Sequence, residues 1–335
     1  MNDYQRTPDR ASPPPTRQTT PSTPPAPSTT VVIRQTIGGT VWGADAILLA
    51  TALLWGTNIL VFKYAIRDFN PWVFNAFRLV FATATLGLLV AAEARWFPTP
   101  RSSEPVRWWR VLLFSFLSGF LYLVIFVKGI DLTTAGNTAL ILASMPMWTA
   151  ILSMLFIHER LPKITWIGLL VTFVGTAVVT TQGSGQISFS SRFFLGNVCM
   201  LLAAVVWATG AVMSRPILQK ITPLRLAFIS SLLTTPFHWL LAASDIPAAL
   251  PRALEPATLA AIVFSGAFST GIAYATWNIG VRAVGASHAS VYQNVVTLVA
   301  VVGGWVVLHE QPLLAQVAGG LLMILGLLLM RRGRS

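Results

Sequence analysis

Two short stretches repeat a pair of side chains that acid–base or metal chemistry could use. They are FIHERLP at 156–162 and VLHEQPL at 307–313. The chain holds only 4 His and 11 Asp plus Glu in 335 residues, so a doubled His-Glu dipeptide asks for a cause. A helical HExxH would set two imidazoles on one face for zinc, with the glutamate as base. Pro162 and Leu313 stand where the second imidazole would be, which removes that chemistry. Cys199 is the single cysteine, so neither an intrachain disulfide nor a cysteine metal cluster can form. No GxxxxGK[ST] phosphate loop occurs, so ATP is not the expected energy source. No metal, cofactor or enzymatic activity is expected. Each His-Glu pair instead reads as a polar turn closing an apolar run, with gating or proton binding by Glu159 and Glu310 as its functional alternative.

Other candidates lie inside apolar runs, where a polar side chain needs a partner or water and so tends to face protein or a cavity. Trp55 and Trp207, Tyr122 and Tyr274, and Asn137 and His288 form three such pairs, with Asn58 beside the first. Aromatic faces can hold a ring or an ammonium group, amide edges can orient a carboxylate, and His288 can change charge near neutral pH. Tyr274 and Asn278 share a helix face at i,i+4, and Trp277 joins them loosely. Tyr292, Gln293 and Asn294 are adjacent, so at about 100° per residue they cannot all face one way; Asn294, then Tyr292, is expected inward. Arg78 is the one fixed charge well inside an apolar run, with Asn75 at i−3. Burying it unpaired costs about 2.5–3.5 kcal/mol on insertion scales. It must pair, reach an interface or bind an anionic group, as a structural anchor, gate or substrate contact. Lys63 lies about one turn from a run's end, within snorkelling reach. No Asp or Glu lies near the middle of a run, which argues against a carboxylate proton relay or sodium cage.

The elements that carry these residues are apolar and long. The chain is 54% hydrophobic and 10% charged, against about 25% charged in soluble domains. Ten runs approach the length that crosses a bilayer: 44–66, 71–92, 110–130, 134–157, 164–181, 194–216, 224–243, 257–281, 286–308 and 313–330. Residues 1–40 are rich in Pro, Ser and Thr and read as a disordered tail. A signal peptide is not expected, because no apolar run follows Arg6, Arg10 or Arg17 until about residue 44. With the N-terminus inside, 17 of the 23 basic residues fall on the inner side and 5 on the outer. The positive-inside bias thus places both termini in the cytoplasm, and the cell (inner) membrane is the expected location. It also accounts for the net charge of +12, so nucleic acid is not an expected partner.

The runs repeat. LLWGTNILVFK at 53–63 returns as VVWATGAVMSR at 205–215, and SGFLY at 118–122 as TGIAY at 270–274, both at an offset of 152. Pro71 matches Pro223 at that offset, whereas Gly129/Gly280, Ala135/Ala286, His158/His309, Glu159/Glu310, Gly168/Gly319 and Gly175/Gly326 match at 151. The chain therefore reads as an all-α membrane protein of ten transmembrane helices in two five-helix repeats, 44–182 and 194–333. Five is odd, so the second copy enters the membrane from the other side and the repeats are inverted, as in secondary transporters with a midplane site at the repeat interface.

WGTNILVFK, FNAFRLVFA and AGNTALILASMPMWTAILSMLFIHERLP resemble EamA-type transporters of the drug/metabolite superfamily over about residues 44–333. That resemblance implies a central cavity lined by spans 1, 3, 4, 6, 8 and 9. It further implies export of amino acids or other small metabolites, with nucleotide sugars or drugs carried by relatives. The second copy departs from the pattern where Thr297 replaces the counterpart of Pro146. The bilayer and a small-molecule substrate are the expected partners, and the sequence does not set the oligomeric state. A non-transporting scaffold or sensor is the alternative; it would have a polar-poor interior, unlike spans 8 and 9.

Overall fold

The computed structural model describes residues 41–96, 105–157, 162–182, 191–284, 292–311 and 313–332. The tail at 1–40, and with it His158, Glu159, Ala286 and His288, lies outside the described residues. The described part is helical throughout, with no strand. In the first repeat, α1 is Val41–Ala65 and α2 is Pro71–Trp96. α3 runs over Trp108–Leu132, α4 over Ala135–Leu142 and Met145–Ile157 with a turn between, and α5 over Lys163–Gln182. In the second, α6 is Arg192–Leu218, α7 is Pro223–Ala242 and α8 is the short Ile246–Ala253. α9 joins Pro256–Val263, Phe264–Ile272 and Ala273–Val284; α10 is Gln293–Leu308 and α11 is Leu314–Arg332.

Matched sequence produces matched local structure. Asn70 and its counterpart Thr222 both cap a helix whose first residue is proline. Asn70 Oδ1 accepts from the Trp72 and Val73 N–H groups at 2.8 and 3.3 Å, and Thr222 Oγ1 accepts from the Arg225 N–H at 3.3 Å. Proline suits this position because its missing N–H belongs to the unpaired first turn. α3 and α9 each contain a π-helical stretch, Ser115–Leu121 and Phe264–Ile272. Such wide turns interrupt the regular ladder and often occur at functional sites.

Length supports part of the expected count. α1, α2, α3, α4, α6 and α9 are long and apolar enough to cross a membrane, and α7 with α8 adds a seventh if that pair, bent by 106°, is one span. Three further apolar stretches, Lys163–Val179, Val295–Leu308 and Leu314–Gly326, are shorter. The ninth run is described only from residue 292, and its helix there is Gln293–Leu308. Six or seven of the ten expected spans thus meet that length among the described residues.

The packing exchanges the two repeats. α1 packs on α9 and α10, as α6 packs on α3 and α4. α2 meets α9, as α7 meets α3, while α2/α7, α4/α10 and α5/α11 pair counterpart with counterpart. Counterparts run antiparallel: a Cβ on Gly175 would lie 2.6 Å from the Gly319 carbonyl oxygen, and one on Gly326 2.6 Å from that of Gly168. The matched glycines thus let α5 and α11 approach backbone to backbone, the small-residue packing typical of membrane helices. Thr83 and Thr235, 152 residues apart, meet hydroxyl to hydroxyl at 3.0 Å where α2 crosses α7.

Candidate functional site

A cavity of about 160 Å³ lies between the repeats. An apolar cavity of about 150 Å³ suffices for benzene, so this one has room for a small ligand. Its wall takes the same positions from each copy: Trp55 and Trp207, Tyr122 and Tyr274, Ser118 and Thr270, Leu142 and Gln293, and Met145 and Val296 all line it. Trp55 and Trp207 meet edge to face with ring centroids 6.4 Å apart, and Trp277 packs on Trp55 at 5.1 Å. Tyr122 and Tyr274 flank Trp207 at 4.9 and 5.8 Å. Trp55 Nε1–H donates to the Ser269 carbonyl at 3.0 Å, within the π-helical stretch of α9, which fixes the indole plane. Asn58 also lines the cavity, and its Oδ1 is buried with no hydrogen-bond partner.

Arg78 reaches the same cavity from α2 and is 3% exposed. Its Nε–H donates to Asn75 Oδ1 at 3.0 Å and its Nη1–H to Thr270 Oγ1 at 2.6 Å, and its guanidinium lies 5.2 Å from the Phe62 ring centre. Asn75 Nδ2–H reaches His238 Nδ1 at 3.2 Å, and His238 Nε2 lies 3.0 Å from the Gly119 carbonyl oxygen. A carbonyl only accepts, so Nε2 carries the proton and Nδ1 is the acceptor that takes the Asn75 amide. This orients the Asn75 oxygen towards Arg78. The chain Gly119, His238, Asn75, Arg78, Thr270 links α3, α7, α2 and α9 through neutral partners. Ser230, the counterpart of Arg78, lines the cavity without a charge.

One face of the bundle is tied by charges placed at helix ends. Lys63 Nζ donates to the Ile130 carbonyl at 2.7 Å and that of Asp131 at 3.3 Å, at the end of α3. Arg67 donates to the Leu308 carbonyl at 3.0 Å, at the end of α10. His309 turns the chain with φ 58°, and the Glu310 N–H closes on the Gly304 carbonyl at 2.9 Å. The turn sends the Glu310 carboxylate back to accept from the Ala135 and Gly136 N–H groups at 2.9 and 3.1 Å, at the start of α4. Each cation sits on unpaired carbonyls and the carboxylate on unpaired N–H groups, as the helix dipoles favour.

The sequence candidates thus separate into three groups. Trp55, Asn58, Arg78, Tyr122, Trp207 and Tyr274 surround the cavity, with Trp277 behind Trp55. Lys63 and Glu310 tie one face. Three others lie elsewhere: Asn137 is fully buried, donates to Asn197 Oδ1 at 3.2 Å and accepts from Gln316 Nε2 at 2.7 Å, bridging α4, α6 and α11. Asn278 donates to the Tyr274 carbonyl of its own helix at 2.7 Å, and Tyr292 packs against the main core. Asn294 is on α10, whereas His288 and Glu159 lie outside the described residues. His238 and Thr270 were not among the expected site residues. Thr270 carried a signal, since it opens the repeated TGIAY; His238 carried none, because Leu86 is its counterpart.

The model of the EamA-like transporter family matches residues 42–181 and 194–332. The uncharacterized transporter YoaV of Bacillus subtilis (strain 168) is 24% identical over 287 residues, covering 84% of this chain and 94% of its own. An uncharacterized transporter of Archaeoglobus fulgidus is 24% identical over 291 residues, covering 86% and 98%. One crystal structure, 24% identical, superposes with a TM-score of 0.61 over 87% of this chain and 98% of its own, a likeness of fold.

Proposed function

Because the chain belongs to the EamA-like transporter family, we propose that it is a secondary transporter that exports small polar metabolites, with amino acids among them, by alternating access through the central cavity. The observation that carries this reading is the cavity's symmetric wall, built from the same positions of both repeats. Antiparallel counterparts support two inverted five-helix repeats, ten spans in all. Inversion makes each face the counterpart of the other, so a rocking motion can close either one around a fixed site. The contacts of Lys63, Arg67 and Glu310 would then hold one gate shut. The positive-inside bias assigns that gate to the outer side and both termini to the cytoplasm of a cell (inner) membrane.

The test is release from proteoliposomes loaded with a mixed panel of amino acids, polyamines, nucleosides, sugar phosphates and organic acids, read by mass spectrometry. Selective release of one chemical class is expected, lost in Trp55→Ala/Trp207→Ala and retained in a variant away from the cavity such as Arg252→Gln on α8. No release of any compound, under a pH gradient or under exchange, would overturn the reading.

A further inference from the structure

The transport reading sets no charge on the substrate. Resting on that reading, we propose that the cavity selects a small organic monoanion, with a carboxylate on Arg78 and an apolar or aromatic body against Trp55, Tyr122, Trp207 and Tyr274. Three observations meet here. First, Arg78 is 3% exposed, and its hydrogen bonds go to an amide and a hydroxyl rather than to a carboxylate. Its positive charge is therefore held in place but not neutralised. Second, Arg78 is the one fixed charge among the described residues that line the cavity. An anion brings the local charge to zero, a zwitterion leaves it at plus one, and a cation doubles it. Third, Asn58 is 8% exposed with an unpartnered Oδ1 in the same wall. A buried polar atom left unpaired is costly, so a ligand hydroxyl or N–H that reaches it adds affinity, though such a neutral contact is weaker than the charge-assisted one at Arg78.

Geometry narrows the anion. Nε and Nη1 of Arg78 are committed to Asn75 and Thr270, which leaves Nη2 as the uncommitted end of the guanidinium. A single cation in a wall made mainly of aromatic and aliphatic groups balances one negative charge, not the two of a phosphate monoester. Charge-assisted hydrogen bonds are roughly twice as strong as neutral ones, so a carboxylate should outcompete its own amide.

A matched series tests this on the full-length protein in nanodiscs, by quenching or enhancement of tryptophan fluorescence. The probes are 3-phenylpropionate, phenylalanine, 3-phenylpropionamide and phenethylamine, which share a ring and differ in charge. The acid is expected to bind most tightly, about tenfold better than the amide, with phenylalanine weaker than the acid and the amine weakest. Arg78→Gln should erase the advantage of the acid while leaving the amide within about twofold, a change in charge preference that loss of a mere anchor would not produce. If that variant does not fold, the wild-type order alone decides. Tighter binding of phenylalanine or phenethylamine than of the acid, no binding of any probe, or an unchanged order in Arg78→Gln overturns the proposal. Release of amines or neutral compounds from the proteoliposomes would sink it while sparing transport; release of nothing would sink both.

Discussion

Glu310 holds two backbone N–H groups at the start of α4 with one carboxylate. Glu310→Ala leaves both unpaired at a helix start, so it should lower stability by about 0.5–2 kcal/mol, the range for lost caps. Thermal unfolding in detergent measures this, and an unchanged midpoint would dismiss the cap. His309 sits at φ 58°, a left-handed position that costs an L-residue about 1–2 kcal/mol. His309→Gly should therefore leave the midpoint unchanged or raise it, whereas His309→Val should lower it. Trp55→Phe keeps a ring but deletes the donor to the Ser269 carbonyl. It should cost about 0.5–1.5 kcal/mol of stability and weaken binding of the acid probe; equal affinity would show that the indole N–H does not shape the wall. At this scale the sequence was informative where a residue type alone fixes behaviour. An arginine inside an apolar run must find partners, and His309-Glu310 ends a run, while His158-Glu159 lies outside the described residues. It was silent where partners come from distant segments. Nothing local marks Gln316 as the partner of Asn137, or His238 as the group that orients Asn75.

At the scale of elements, glycine spacing sets how closely α5 and α11 approach. Any side chain at Gly175 meets the Gly319 backbone, which cannot rotate away. Gly175→Val should cost about 1–3 kcal/mol, the usual range for overpacking, with loss of monodispersity on size exclusion. Normal behaviour of that variant would contradict the close contact. The glycine matches at an offset of 151 were visible in the sequence, as was the match of Pro71 with Pro223. The π-helical stretches of α3 and α9 were not, because an i→i+5 turn is stabilised by the packing around it and not by residue type. Helix bending was also beyond reach. Hydropathy sees apolar runs, while the 106° bend between α7 and α8 is a feature of the fold.

For the whole molecule, the main helix pairings between the repeats are preserved when the repeats are exchanged, whereas the charges are not: Arg78 and its uncharged counterpart Ser230 both line the cavity. Symmetry supplies the two gates, and asymmetry supplies the binding preference. The repeat was legible because its offset survives in Trp, Pro and Gly, residues whose shape the packing uses. The cavity was legible only in part: the resemblance implied it and six of its wall residues stood out by type, but its shape was not, since its walls join segments more than two hundred residues apart. Accessibility of the cavity from each side tests the central claim most directly. With Cys199→Ser as background, Thr297→Cys places one thiol in the cavity wall. A membrane-impermeant maleimide is then applied to right-side-out and inside-out vesicles, with and without Glu310→Ala. Alternating access predicts labelling from both sides, and faster labelling from the Glu310 side once its carboxylate is removed. Labelling from one side only in both backgrounds, or from neither, would contradict the account.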